Sequence, residues 1–180
     1  MNALEFALAN LKNGVTTVPL DDDHGELFVA GDEMPTARDI RKWFARRDAI
    51  FPGVLTGPLS KNLCAIEFDD RHAGFAWLER AKSELPWFDS NYYTPAPRGE
   101  KYCFRFRAGL EHSTTTTTKS GDEVFVVGAG HFLPLNQKRF REPFEIPDRD
   151  LSAEDACRIL LLANLVDTRY RVFQENEPMN

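Results

Sequence analysis

The sequence predicts a single α+β domain with a central mixed or antiparallel sheet flanked by helices. In some segments apolar residues recur at helical spacing, and in others they alternate with polar residues or form short β-branched runs. The two kinds of segment intermix without the repeated βα alternation of a doubly wound sheet. The chain has 180 residues, 42% of them hydrophobic, which suffices for one compact core. We place the domain at 1–173 and a polar tail at 174–180.

Four helices are predicted because apolar residues recur every three or four positions between capping residues. Asn13 and Gly14 form a stop signal after the first helix, and Thr36 is suited to cap the second. Pro86 ends the third, and Asp150 or Ser152 caps the fourth. The predicted helices are the opening segment up to Lys12, 37–47, 73–85 and 152–170.

Strands are predicted where β-branched and aromatic residues lie between polar, Gly or Pro turns. In 101–107 the aromatic residues alternate with other types, which indicates one buried face. The run 114–118 suits a strand or a loop, and 95–100 and most of 128–150 are predicted to be irregular. The predicted strands are 15–20, 26–30, 53–56, 63–68, 101–107 and 124–127.

Charge and composition exclude several classes of protein. Lys and Arg total 22 against 28 Asp and Glu, so the net charge of −6 gives no global attraction to nucleic acid. Any such contact needs a local basic patch, and the helix 37–47 has the densest positive charge. No stretch approaches the roughly 18 apolar residues of a membrane span, and no secretory signal is present, so we expect a cytoplasmic protein without a membrane partner.

The three cysteines, Cys64, Cys103 and Cys157, are odd in number and far apart. This spacing fits neither a disulfide framework nor a zinc site such as C-x-x-C. We expect buried thiols in a reducing compartment.

Two carboxylates in one strand are the sharpest chemical feature. Residues two apart in a strand share a face, so Glu67 and Asp69 are expected side by side, with Ile66 and Phe68 on the buried face. The mutual repulsion of the two carboxylates is relieved by a divalent cation, and oxygen ligands suit Mg²⁺ or Mn²⁺. Alone, the same pattern also describes a solvated strand end.

Two polar loops are further candidates for binding. The segment 96–105 begins with Pro97, Arg98 and Gly99, which would present a guanidinium and backbone N–H groups to phosphate oxygens. The loop 56–62 offers Ser60 and Lys61 beside the acidic strand. Neither loop has Walker or Rossmann spacing, and each alone is also compatible with an ordinary surface loop.

Together and in order, these segments resemble the bifunctional DNA primase/polymerase N-terminal family, a branch of the archaeo-eukaryotic primases found in plasmid and phage replication proteins. The resemblance covers about residues 3 to 135. It is carried by the motifs G-x-x-x-x-P-L at 14–20, G-V-L-T-G-P-L-S-K-N-L-C-A-I-E-F-D at 53–69, T-P-A-P-R-G-E-K-Y-C-F-R-F at 94–106 and V-F-V-V-G-A-G-H at 124–131. It implies a primase-polymerase catalytic core whose sheet is similar to that of an RNA-recognition motif.

The resemblance implies two-metal nucleotidyl transfer with Mg²⁺ or Mn²⁺. Glu67 and Asp69 match the family's acidic strand motif, although Glu replaces the usual first Asp. The family's third carboxylate falls at Thr117 or Thr118 in a simple match. Asp122 as a catalytic residue, or Glu123 as a metal ligand, reaches that position only with a shift.

The resemblance also implies a triphosphate site at 94–102, where the family has T-P-R-G-G-x-H. The residues expected to bind the nucleotide are Ser60, Lys61, Arg98, Gly99, Lys101 and Tyr102. Lys101 or Tyr102 occupies the position of the family's histidine, and a tyrosine is a weaker phosphate donor. A site with this departure could bind a nucleotide without turning it over.

The partners implied are a dNTP or NTP and a single-stranded DNA template. The residues expected to contact the template are Arg41, Lys42, Arg105 and Arg107. The chain holds no Walker lysine and so lacks the helicase-type ATPase region that usually follows such a domain. We expect it to be either a stand-alone small protein, for which a separate helicase is a candidate partner, or an excised domain.

Two alternatives remain open at this point. One is a degenerate primase-like module that binds a nucleotide, a nucleic acid or a host protein without catalysis. The other is an acidic accessory protein that binds a host protein through Trp43, Trp87 and neighbouring aromatic residues.

Overall fold

The computed structural model is described at residues 1–20, 33–45, 51–89, 91, 93–98, 101–135 and 143–168, with the backbone alone at 94–98, 101, 102 and 134. In those ranges the chain forms an α+β domain with two antiparallel sheets, as predicted. The helices are α1 Ala3–Lys12, α2 Ala37–Phe44, α3 Arg71–Glu84 and α4 Ala153–Ala163. The strands are β1 Thr17–Leu20, β2 Phe51–Leu55, β3 Leu63–Phe68, β4 Tyr93–Arg98, β5 Lys101–Arg107, β6 Thr114–Thr117, β7 Glu123–Val127 and β8 Phe132–Pro134.

The larger sheet has the strand order β4-β5-β3-β7-β6, so the acidic strand β3 is central. The smaller sheet has the order β1-β2-β8. All pairs of hydrogen-bonded neighbouring strands described in the two sheets are antiparallel. The predicted central sheet therefore exists, with a second sheet beside it that the sequence did not indicate.

Local capping explains where the helices begin. Asn2 and Glu5 form a reciprocal capping box on α1, and Thr36 and Asp39 form one on α2. Ser152 is the residue that caps α4, because its hydroxyl accepts the N–H of Asp155 at 3.0 Å.

Gly14 follows α1 with φ +75°, and a Cβ there would lie 2.5 Å from the Lys61 side chain. The left-handed backbone favours glycine at this stop signal, whereas the flexible end of the Lys61 side chain could move away from a Cβ.

Two hydrophobic cores cover opposite faces of the larger sheet. On one face α3 and α4 bury Trp77, whose ring centroid lies 4.6 Å from that of Phe104 and whose Nε1–H donates to the carbonyl of Ile159 at 2.9 Å. On the other face α1 and the smaller sheet cover Ala65 and Cys103. The prediction that β5 buries only one face was wrong, because the second sheet covers the other.

Several predicted boundaries also change. The segment 95–100 was predicted as a loop, but 95–98 belong to β4. This strand lies at the sheet edge, where Pro95 and Pro97 need no N–H for an outer neighbour.

The segment 128–150 contains β8, and α4 ends at Ala163 instead of near residue 170. The helix predicted at 37–47 is described only to Ala45, and the strand predicted at 26–30 lies outside the described residues. Cys157 is exposed, unlike the buried Cys64 and Cys103. Within the described part of the chain, no helix has the length and apolar character needed to cross a bilayer.

Candidate functional site

The acidic segment at the end of β3 places its three carboxylates in different surroundings. Glu67 belongs to the strand and is 8% exposed, whereas Asp69 follows the strand end and is exposed. Asp70 caps α3, since its carboxylate accepts the N–H of Ala73 at 2.8 Å. Strand β3 thus leaves Glu67 and Asp69 on one face, as predicted from their spacing, and uses Asp70 to begin the next helix.

Strand β7 brings a third carboxylate to the same end of the sheet. Glu67 pairs with Phe125, and Phe68 pairs with Val124. The ladder continues one residue further, because the N–H of Asp69 donates to the carbonyl of Glu123 at 3.2 Å. Directly opposed residues in an antiparallel pair share a face, so Asp69 and Glu123 are neighbours on the face that carries Glu67.

Asp122, the other candidate for the third carboxylate, has a different environment. Its Oδ2 accepts hydrogen bonds from Thr118 at 2.8 Å, Ser120 at 2.7 Å and Thr168 at 3.3 Å. Burial raises the pKa of Asp122, but the hydrogen bonds from these three hydroxyls outweigh it and keep the pKa below its usual value. The carboxylate joins the β6–β7 turn to the segment after α4.

The expected triphosphate segment lies on the other side of β3 from Glu123. Arg98 and Lys101 are directly opposed at the end of the β4–β5 pair, and Tyr102 is opposed to Phe68. The β3–β5 register, continued by one position beyond the Phe68–Tyr102 pair, places Lys101 opposite Asp69. The backbone thus brings Arg98 and Lys101 to the carboxylate end, while Gly99 lies outside the described residues.

Ser60 and Lys61 are at the opposite end of β3. Six residues separate the start of the strand from Asp69, which corresponds to roughly 20 Å of extended chain. Ser60 is buried, and its hydroxyl accepts the N–H of Thr16 at 2.9 Å. Lys61 has φ 55° and packs its side chain over Gly14. The fold therefore does not bring these two residues to the acidic site.

The residues expected to contact a template also separate into two groups. Arg41 and Lys42 are exposed on α2, which packs against α1 and β1. Arg105 is 9% exposed, with its guanidinium carbon 4.2 Å from the centroid of the Phe144 ring, and burial lowers its pKa.

The Arg107 guanidinium donates to the carbonyls of Lys61 and Asp148, each at 2.9 Å, and to Asp150 at 3.0 Å. These contacts tie β5 to two loops. Of the four residues expected to contact a template, Arg105 and Arg107 thus have packing and tethering contacts, whereas Arg41 and Lys42 present exposed positive charge.

Phe125 is a residue of this face that sequence reasoning missed. It is 39% exposed, although the neighbouring aromatic residues Phe68 and Phe104 are fully buried. The signal was available, because Glu123 and Phe125 alternate with Val124 and therefore belong to the face of Glu67. The apolar run 124–127 obscured this alternation.

The donor chemistry of this face suits a hard divalent cation. Glu67, Asp69 and Glu123 offer only oxygen ligands, which Mg²⁺ and Mn²⁺ favour. Among the residues that the structure describes, no group of three or more His, Cys, Asp or Glu side chains is arranged to hold a metal ion. The carboxylates are adjacent in register, and we treat a metal there as a proposal.

Comparison with known protein families gives a match over most of the chain. The family described as bifunctional DNA primase/polymerase, N-terminal, matches residues 7–171. The match confirms the resemblance and extends it well beyond residue 135, through the segment that contains α4. No curated protein matches the sequence.

Proposed function

This chain belongs to the bifunctional DNA primase/polymerase N-terminal family, whose function is primase/polymerase-like and lies in DNA replication. We propose that it is the nucleotidyltransferase domain of a plasmid or phage replication protein. It synthesises primers or extends DNA on a single-stranded template, with Mg²⁺ or Mn²⁺ and a dNTP or NTP. Its domain comprises 1–173.

The observation that carries this proposal is the adjacency of three carboxylates at one end of the central strands. Glu67 is held by the strand, Asp69 is exposed beyond it, and Glu123 accepts the N–H of Asp69 through its own carbonyl. Three acidic residues at adjacent register positions place like charges on one face, and a bound cation would offset their repulsion. We assign the third ligand to Glu123 instead of Asp122, because Asp122 already accepts three hydroxyl hydrogen bonds.

The three carboxylates would hold metal ions from positions that differ in exposure. Metal ions bound there would activate a 3′-hydroxyl and neutralise the charge of the triphosphate. Glu67 offers a fixed ligand because it is buried in a central strand, and Asp69 and Glu123 offer exposed ones. Neighbouring strands that carry the ligands limit their movement relative to one another.

The triphosphate would extend from the carboxylates towards the β4–β5 end, where Arg98 and Lys101 are opposed in register. A guanidinium binds phosphate oxygens bidentately, and a lysine adds a point charge. Gly99 stays in this part of the proposal, whereas Tyr102 is left out because it is opposed to Phe68 and so belongs to the other face of the sheet. Ser60 and Lys61 are left out, because they lie at the far end of β3.

A primer-extension assay with labelled dNTPs and Mn²⁺ tests the proposal. The wild type should extend a primer, and Asp69→Asn should lose roughly 100-fold or more of the rate, because loss of a metal ligand removes several kcal/mol of charge stabilisation in the transition state. Glu79→Gln, an exposed acidic residue on α3, is the matched control and should retain wild-type extension. Equal loss in both variants, or extension without metal, would contradict the assignment.

A second candidate function is a primase-like module that binds nucleotide without turnover. It is favoured by two departures from the family: Thr117 or Thr118 at the expected third carboxylate and Lys101 or Tyr102 at the histidine. Lys101→His discriminates the two functions, because Lys101 is level with Asp69 in the sheet and a protonatable imidazole there can donate to phosphate oxygens. Increased extension supports the enzyme, whereas dNTP binding without extension in both forms supports the binding module.

A further inference from the structure

Phe125 is an exposed aromatic residue on the carboxylate face of the larger sheet. It is opposed to Glu67 on one side and to Thr115 on the other. Opposed residues on antiparallel strands have Cβ atoms about 4.5–5.5 Å apart, so the ring begins within one side-chain length of the buried carboxylate. The ring is 39% exposed, so a flat apolar group that covered it would remove apolar area from water.

The strands around Phe125 have hydroxyls and no positive charge. Thr115 and Thr117 are exposed on β6, and Thr117 is opposed to Glu123. Neither β6 nor β7 contains Lys or Arg, whereas the β4–β5 end has Arg98 and Lys101. The face is thus divided by the carboxylates into a basic side, suited to phosphates, and an uncharged aromatic side.

We propose that Phe125 stacks on the 3′-terminal nucleobase of the strand being extended, with Thr115 and Thr117 beside its sugar. This inference rests on the proposed nucleotidyltransferase function and names the substrate group on the uncharged side of the site. A 3′-hydroxyl at the carboxylates places its own base within several ångströms of them, and Phe125, as the register partner of Glu67, is within that reach. The base of any nucleotide has a π face, so stacking requires no particular sequence.

The charge distribution is the reason for assigning this position to the strand end and not to the incoming nucleotide. The triphosphate needs the cations of the β4–β5 end. In a transfer reaction the attacking hydroxyl approaches the α-phosphate from the side opposite the leaving pyrophosphate, so it comes from the direction of β7 and β6.

Fluorescence of 2-aminopurine tests the assignment in the complete chain with Mn²⁺, because stacking quenches this base. One arm uses a primed oligonucleotide with 2-aminopurine at the 3′ terminus, and the other uses 2-aminopurine deoxynucleoside triphosphate. The variants are Phe125→Trp, which keeps a stacking ring, and Phe125→Leu, which keeps an apolar side chain. Leu161→Ala, at a 62% exposed position on α4, is the control.

The expected result is quenching of the 3′-terminal probe by the wild type, Phe125→Trp and Leu161→Ala. Phe125→Leu should lose the quenching and bind the primed oligonucleotide about tenfold more weakly, with dNTP affinity unchanged. Unchanged quenching in Phe125→Leu overturns the inference, as does an effect confined to the triphosphate probe. If the wild type binds dNTP and primer and substitutions at Phe125 change neither binding nor quenching, the proposed function stands and this inference alone fails. If the wild type binds neither dNTP nor primer, both fail.

Discussion

At the residue scale, Asp122 and Glu123, the two adjacent acids of the β6–β7 segment, have unlike surroundings. The E-x-D spacing was enough to predict Glu67 and Asp69, because strand alternation is a local property. The choice between Asp122 and Glu123 could not be made from sequence, since it depends on the register between β3 and β7. That register is set by apolar residues distant in the chain, such as Val124 opposed to Phe68.

The assignment of Glu123 predicts a selective response to metal. Mn²⁺ should raise the melting temperature of the wild type, because a ligand that binds only the folded state stabilises it. Glu123→Gln should greatly reduce the rise, and Glu67→Ala with Asp69→Ala should abolish it. Asp122→Asn should keep the rise while lowering the metal-free melting temperature. A rise that survives in Glu123→Gln and disappears in Asp122→Asn would reverse the assignment.

The hydroxyl cluster around Asp122 predicts a pH-dependent contribution to stability. The pKa of Asp122 is lower in the folded chain than in the unfolded one, so its stabilisation is present above the unfolded pKa of about 3.9 and is lost as pH falls through the folded pKa. Asp122→Asn should lower the free energy of unfolding at pH 7 by about 1 kcal/mol, a modest value because solvent screens the group. Denaturation at several pH values should show this difference shrinking below about pH 4.

At the element scale, local signals located the helices and missed the edge strand. Thr36 was identified from spacing alone, because a cap acts within three residues, and Ser152 was one of two candidates together with Asp150. Strand β4 was missed because Pro95 and Pro97 favour a loop in isolation, and only its position at the sheet edge makes them acceptable. Helix α4 ends early because its C-terminal limit depends on tertiary contacts, including Arg80 donating to the carbonyl of Leu165 at 3.0 Å.

Helix α4 is joined to α3 by the indole of Trp77, which predicts a measurable loss on removing that donor. Trp77→Phe leaves the Ile159 carbonyl without its 2.9 Å partner and opens space in a fully buried site. The free energy of unfolding should fall by about 2–4 kcal/mol, the sum expected for an unsatisfied polar group and a small cavity. Urea denaturation measures the change. A loss below about 0.5 kcal/mol would mean that this contact does not hold the two helices together.

At the scale of the whole molecule, an acidic chain must bind a polyanion through one local surface. The net charge of −6 opposes a DNA strand everywhere except where basic residues cluster. Helix α2 lies beyond α1, which packs on the carboxylate face, whereas α3 and α4 cover the opposite face. The exposed Arg41 and Lys42 are thus on the half of the molecule that contains the proposed site.

This placement predicts the salt dependence of binding to single-stranded DNA. Arg41→Gln with Lys42→Gln should weaken binding, and each lost phosphate contact should reduce the slope of log K against log salt concentration by about 0.7. Lys82→Gln on α3 is the matched control, because this cation is on the opposite face of the sheet and is paired with Glu79 at 3.7 Å. The measurement is fluorescence anisotropy of a labelled oligonucleotide at several salt concentrations. Since surface charges on both faces contribute equally to the net charge, a slope change in the α2 variant alone identifies the template surface. Equal changes in both variants would instead reduce the effect to overall repulsion.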